Sequence, residues 1–245
     1  MSANTDQRPV AVITGASSGI GLGITRSLLA HGYQVVANSR SIGKSKDLKP
    51  SADLILVDGD IGKKETAIKV ADAAVSHFDR IDLLVNCAGI YLSKPFTEYT
   101  AEDFELMVGT NIAGHFFITQ AVMAQMRKQK SGHVIGVSAA VVDQPLAGAH
   151  ISMPVLTKST IPALSRALAM EYAADGIRFN TISPGTVDTP LHANDAHEFL
   201  EKLNPAGRLV QVSEIVDALL YLQSATMVNG ENIRLDGGSH AGAKW

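Results

Sequence analysis

The short apolar run Val10–Thr14 leads directly into a turn with glycine at positions 15, 19 and 21, and a helical pattern follows. This strand–turn–helix constrains the fold more than any other stretch. Glycines at this spacing allow a tight turn and close approach of the backbone to a ligand. A helix that starts there offers free N–H groups and the positive end of its dipole to a pyrophosphate. The spacing is G-x-x-x-G-x-G, unlike the commoner G-x-G-x-x-G of dinucleotide-binding turns. Gly15, Ser17, Ser18, Gly19, Ile20 and Gly21 are the first candidate cofactor residues.

The remainder of the chain alternates short apolar runs with longer helical stretches. Strands are expected at Val10–Thr14, Gln34–Asn38, Asp53–Val57, Leu83–Asn86, His133–Ser138, Arg178–Ser183 and Asn232–Leu235. Several are almost wholly apolar, as parallel strands covered on both faces are. Helices are expected at Gly19–His31, Lys64–Phe78, Ala101–Arg127, Pro154–Ala174 and Ser213–Ser224. Repeated β–α alternation predicts an α/β fold: a doubly wound, Rossmann-like parallel sheet of about seven strands with helices on both faces. The 245 residues fit a single domain. The segment 188–205 breaks the alternation with Pro190, His192, His197 and Pro205, and is expected to form a lid with a short helix.

Charge narrows the partners. The net charge is −3 and no basic run stands out, so neither nucleic acid nor an anionic membrane is an expected partner. No uninterrupted apolar run approaches the roughly 20 residues that span a bilayer. The start is polar, and the single cysteine, Cys87, precludes an internal disulfide, which fits a cytoplasmic location. No metal site is expected.

Several segments in order resemble the short-chain dehydrogenase/reductase family: TGASSGIG at Thr14–Gly21, NCAG at Asn86–Gly89, Asn111 within NIAG, Ser183–Pro184–Gly185, Lys158 near a helix start, and Leu235–Asp236–Gly237–Gly238. The resemblance covers about residues 9–239. It implies an oxidoreductase that exchanges hydride between a nicotinamide cofactor and a carbonyl or alcohol. It also implies a homotetramer or homodimer, with Ala101–Arg127 and Pro154–Ala174 at the interface. By the same resemblance Asp60 and Ile61 meet the adenine, Asn86, Ala88 and Gly89 form the adenosine wall and floor, and Pro184, Gly185, Val187 and Thr189 hold the nicotinamide side. NAD-selective members carry an aspartate near Ser39, where it binds the ribose 2′-hydroxyl. Here Ser39 and Arg40 stand instead, and a guanidinium matches a phosphate in geometry and charge. NADP(H) is the expected cofactor. A solvated Arg40, and Asp60 as a helix cap, are the competing readings of those two residues.

At the reaction centre the resemblance implies four residues: a tyrosine that donates a proton, a lysine that tunes it, a serine that binds the carbonyl oxygen, and a supporting asparagine. Asn111 and Lys158 match the asparagine and the lysine; Lys158 also serves the cofactor ribose. The position four residues before Lys158 is Pro154, which has no side-chain donor. Ala139 stands at the serine position and Ser138 one residue early, on the opposite side of an alternating strand. His150 is the local candidate for a replacement donor, since its ordinary pKa suits proton transfer; Tyr91, His192 and His197 are others. Ser152 is a plausible N-cap. Pro162 removes a helical bond to the Lys158 carbonyl and predicts a kink. Cys87 reads as a packing group. Two functions remain open: an NADP(H)-dependent oxidoreductase of atypical or impaired mechanism, and a non-catalytic NADP(H)-binding sensor or partner subunit.

Overall fold

The computed structural model describes residues 8–145, 148–192 and 196–242, and every expected strand lies in one parallel sheet of order β3-β2-β1-β4-β5-β6-β7. The strands are β1 Val10–Thr14, β2 Gln34–Ser39, β3 Leu54–Asp58, β4 Leu83–Asn86, β5 Gly132–Val137, β6 Ile177–Pro184 and β7 Asn232–Leu235. All five residues of β1 and all four of β4 are buried. Alternation divides β1 between two cores. Ala11 and Ile13 pack with Ile24 and Leu28 of helix α1 (Gly19–Ala30) and with Ile215 and Leu219 of helix α8 (Val212–Ser224). Val10 and Val12 pack on the other face with Val70 and Ala74 of α2 (Lys64–Phe78) and with Ile118 and Val122 of α4 (His115–Gln129). After β3 the chain crosses back to place β4 on the far side of β1. Loops leaving β1 and β4 therefore diverge, and a crevice opens at their C-terminal ends, the topological switch point where α/β sheets bind ligands.

Two long helices depart from expectation. The run expected at Ala101–Arg127 is α3 (Ala101–Met107), a π-helical turn (Val108–Gly114) and α4. The turn carries Asn111, whose amide bonds outside the helix, and Gly114, where a Cβ would sit 2.9 Å from Ile61 Cγ2. Such bulges widen a helix locally and recur at functional sites. By length and composition Ala101–Gln129 is apolar enough to cross a membrane, but Met107, Ile118, Val122 and Met126 are buried in the protein.

The run expected at Pro154–Ala174 is α5 (Ser152–Lys158) and α6 (Thr160–Glu171), broken at Ser159. Pro162, inside α6, cannot donate to the carbonyl four residues earlier, so the break falls next to Lys158. Ser152 is not the N-cap. Ile151 caps the helix, and its carbonyl accepts the Val155 N–H at 2.9 Å. Pro154 is consequently still in the first turn, where its missing N–H has no partner to lose.

Within 188–205 the described residues form a 3₁₀ turn (Pro190–His192) and α7 (His197–Leu203). Residues 193–195 and the side chain of His197 lie outside the described structure. The base of this segment is pinned: Asp188 N–H donates to Val210 O and Val210 N–H to Thr186 O, both at 2.9 Å.

Candidate active site

The glycine turn is built from the strand ends below it. The buried Thr14 hydroxyl accepts the N–H groups of Cys87 at 3.1 Å and Ala88 at 3.0 Å, tying the end of β1 to the loop after β4. Gly15 has φ +67°, and a Cβ there would meet Ala88 Cα at 2.8 Å, so neither backbone nor space admits a side chain. Ser18, at the N-cap of α1, forms no side-chain capping bond. The first-turn N–H groups are left for a ligand.

From this turn a cleft of about 310 Å³ runs over the ends of β2 and β3. Gly15, Ser17, Ser18, Gly19, Ile20 and Gly21 line one side, with Ser39, Arg40, Asp60 and Ile61 at the far end and Ala88 and Gly89 on the floor. Asp60 is not a helix cap: its carboxylate accepts the Gly62 N–H at 2.9 Å, and Lys63 caps α2 without a side-chain bond. Asn38, Leu106 and Thr110 also line the cleft and were not anticipated. Asn38 had a local signal, a polar residue at a strand end. Its amide donates to Val57 O at 2.9 Å and Gly59 O at 3.2 Å, fixing the loop that presents Asp60.

A second cavity of about 190 Å³ shares Ile20, Cys87, Gly89, Ile90, Thr189 and Leu191 with the first, and the two make one continuous cleft. Its own walls include Tyr91, Val137, Ser138, Ala139, Lys158, Pro184, Gly185, Thr186, Val187 and His192. The half-buried Lys158 extends its ammonium to Val137 O at 3.2 Å. Burial lowers its pKa, opposed by the neighbouring Cys87 thiol. Burial pushes that thiol up to about 11, against the lysine cation. Burial, with the same cation, pushes buried His115 down to about 4. Near neutral pH both the thiol and the imidazole are uncharged, and Cys87 behaves as the packing group expected of it.

Asn111 is 1% exposed and lies behind this cavity, outside its lining. Its side chain accepts the Ile90 N–H at 2.9 Å and donates to Ile90 O and Thr157 Oγ1, each at 3.0 Å. It clamps the loop after β4 to α5.

A family model described as enoyl-(acyl carrier protein) reductase matches residues 15–240. The chain belongs to the short-chain dehydrogenase/reductase family. It is 32% identical to the granaticin polyketide synthase putative ketoacyl reductase 2 of Streptomyces violaceoruber, over 98% of this chain and 99% of that protein. It is 30% identical to gluconate 5-dehydrogenase of Gluconobacter oxydans, over 93% of each. Among solved structures, 3-ketoacyl-(acyl-carrier-protein) reductase from Brucella melitensis, complexed with NADH, is similar at TM-score 0.87 and 26% identity, over 96% of this chain and 99% of that one. Gluconate 5-dehydrogenase from Burkholderia cenocepacia, in complex with NADP and tartrate, is similar at TM-score 0.87 and 28% identity, over 97% of each.

Every predicted cofactor residue except Asn86 lines the cleft of this short-chain dehydrogenase/reductase. Asn86 is 2% exposed beneath it: its side chain meets Thr14 Oγ1, Thr119 Oγ1 and His115 O, so the side chain braces the sheet. The predicted catalytic residues separate. Lys158 and Ser138 reach the cavity, but the Ser138 hydroxyl donates to the Lys158 carbonyl at 2.9 Å. Ala139 takes the cavity wall. Pro154 is buried and outside the lining. His150 is exposed and also outside it; its carbonyl, not its ring, accepts from Ser93 Oγ at 2.9 Å and Lys94 N at 3.1 Å. Of the other proposed donors, Tyr91 and His192 border the cavity.

Proposed function

We propose that this chain is an NADP(H)-dependent oxidoreductase acting on a small carbonyl or alcohol, with proton delivery that departs from the family's tyrosine. The observation that carries the reading is the continuous cleft: a glycine cradle and Arg40 in the first chamber, and the Lys158 head in the second. The cradle fits a pyrophosphate: Gly15, where a Cβ would strike the Ala88 backbone, lets the turn close against the loop after β4, and the start of α1 lines the cleft with no side-chain cap. Arg40 favours the 2′-phosphate. Asp58, which pairs with Ser39 across the sheet, is not a cleft residue, and its carboxylate accepts the Gly43 N–H at 2.8 Å.

When bound, the nicotinamide supplies or accepts the hydride. The chain's part is to orient and to manage a proton. Lys158 presents an ammonium over Gly89, suited to ribose hydroxyls, and its charge favours developing negative charge on a substrate oxygen. Asn111 holds the loop that floors the cleft. Tyr91 and His192, bordering the substrate end, carry the exchangeable protons that Pro154 cannot provide. His150 would need the loop to move before it served. Losing a general acid typically costs about 10²–10⁴-fold, so slow turnover is expected.

Exposed Phe104, Leu106, Phe116, Leu156 and Met170 on α3 to α6 support assembly of copies through these helices as a homotetramer or homodimer. The single cysteine supports a cytoplasmic location.

The second reading, a non-catalytic NADP(H)-binding sensor or partner subunit, is favoured by one observation: the Ser138 proton is already committed to the Lys158 carbonyl, with proline four residues before Lys158. Following NADPH oxidation at 340 nm with a panel of ketones and aldehydes decides between them. Steady oxidation supports the enzyme; tight NADPH binding without oxidation supports the sensor.

A further inference from the structure

Lys158 is held at both ends by consecutive residues of one strand terminus. Its ammonium donates to Val137 O at 3.2 Å, and its own carbonyl accepts from Ser138 Oγ at 2.9 Å. In an unbroken helix the carbonyl of residue 158 would take the N–H of residue 162. Residue 162 is proline, buried in α6, and has no N–H to give. A carbonyl left without a partner in a buried setting is costly. Ser138 is 3% exposed, and its N–H donates to Ile182 O at 2.9 Å, so the hydroxyl is carried on backbone fixed in the sheet. A hydroxyl has one proton. Spent on Lys158 O, it is not available to a substrate oxygen.

We infer that Ser138 is a positioning residue: its hydroxyl replaces the backbone N–H that Pro162 withholds from the Lys158 carbonyl, and thereby fixes where the lysine head stands in the cleft. Ser138 and Pro162 are on this account a compensating pair, each tolerable because of the other. The inference deepens the proposed function, since Lys158 belongs to that site, but it can be judged without turnover.

The test uses the full chain as S138A, S138T, P162A and S138A/P162A. Two quantities are read: the pH profile of Lys158 acylation by acetic anhydride, followed by mass spectrometry of its peptide, and the NADPH dissociation constant by fluorescence. In S138A the labelling midpoint should rise toward that of a free lysine as the amine gains solvent, and NADPH should bind about tenfold more weakly. S138T should keep the native profile. S138A/P162A should recover it, because alanine restores the N–H at 162. An unchanged midpoint in S138A overturns the inference, as does a double variant no better than S138A. If S138A alone fails to fold, a folded double variant with native labelling supports the pairing and an unfolded one overturns it. If the native chain does not bind NADPH, the proposed cofactor is wrong, while the labelling profiles still decide the role of Ser138.

Discussion

The head of Lys158 lies against the backbone of Gly89: a Cβ there would stand 2.7 Å from Nζ and 3.3 Å from Asn111 Oδ1. The glycine of NCAG thus makes room for the lysine on the cleft floor. In Gly89→Ala the flexible lysine end yields before the backbone does. We expect a melting temperature within a few degrees of the native one and NADPH binding weaker by about tenfold, measured by calorimetry. Native affinity in this variant would show that the lysine head does not contact the cofactor.

Arg40 and Ser39 bear on nucleotide choice. Arg40→Asp exchanges a phosphate partner for a carboxylate that repels phosphate and accepts from a ribose hydroxyl. Charge-assisted bonds contribute about 1.5–3 kcal/mol, so a preference of about 10–100-fold for NADP(H) should vanish and reverse. Tighter binding of NAD than NADP to the native chain, by calorimetry, would refute the assignment.

Thr14 tests the scaffold beneath the cleft. Thr14→Val keeps the shape but leaves the N–H groups of Cys87 and Ala88 without their acceptor. Each unsatisfied buried group costs about 1–3 kcal/mol. Urea denaturation should show a loss in that range or somewhat above it, together with weaker nucleotide binding.

Most of the fold was legible in the sequence for one physical reason: strands covered on both faces must be apolar throughout, so β1 and β4 announce their exact limits. The glycine turn was legible because a close backbone approach admits no other residue. What escaped was tertiary. Asn86 reads like a site residue, yet its amide is consumed by Thr119 and the His115 carbonyl, partners about thirty positions along the chain. The π turn at Asn111 follows from bonds to Ile90 and Thr157, which no local periodicity encodes. Pro162 did announce a helix break, and the break came at Ser159, beside the carbonyl the proline leaves unmet. The hydroxyl it receives, from Ser138, sits just past the end of β5, twenty residues earlier, and nothing in the sequence marked it as a partner of that carbonyl.

Buried histidines make stability depend on pH. His133 is 2% exposed, and burial, aided by the Arg178 charge, pushes its pKa down to about 3; His115 is pushed to about 4. Both are depressed below the unfolded value of about 6.5, so the unfolded chain binds more protons below that pH. Their contribution is complete above about pH 6.5 and is lost as pH falls toward 4. By pH 5 each should have cost about 2 kcal/mol. His133→Gln should flatten the stability slope between pH 7 and 5 in urea titrations; an unchanged slope would mean that other groups carry it.

Restoring the family's chemistry tests how far the pocket has diverged. Residues 154 and 158 are one helical turn apart on α5, so they share a face. Lys158 lines the substrate-end cavity, and a tyrosine at 154, now a buried proline outside that lining, would extend from the same face of α5. Ala139 already lines it. A tyrosine costs little in the first helical turn, where proline contributes mainly by fixing φ. Pro154→Tyr with Ala139→Ser should therefore raise single-turnover reduction of a simple ketone by bound NADPH, toward the 10²–10⁴-fold or so that a general acid supplies. The geometry must be right to about 1 Å, and the break at Ser159 bears directly on it. Adding Pro162→Ala to the pair should increase the gain if the break holds Lys158 away from the new phenol. No gain in either variant, with folding and NADPH affinity intact, would mean that the cavity itself has moved on to another use, beyond the loss of two side chains.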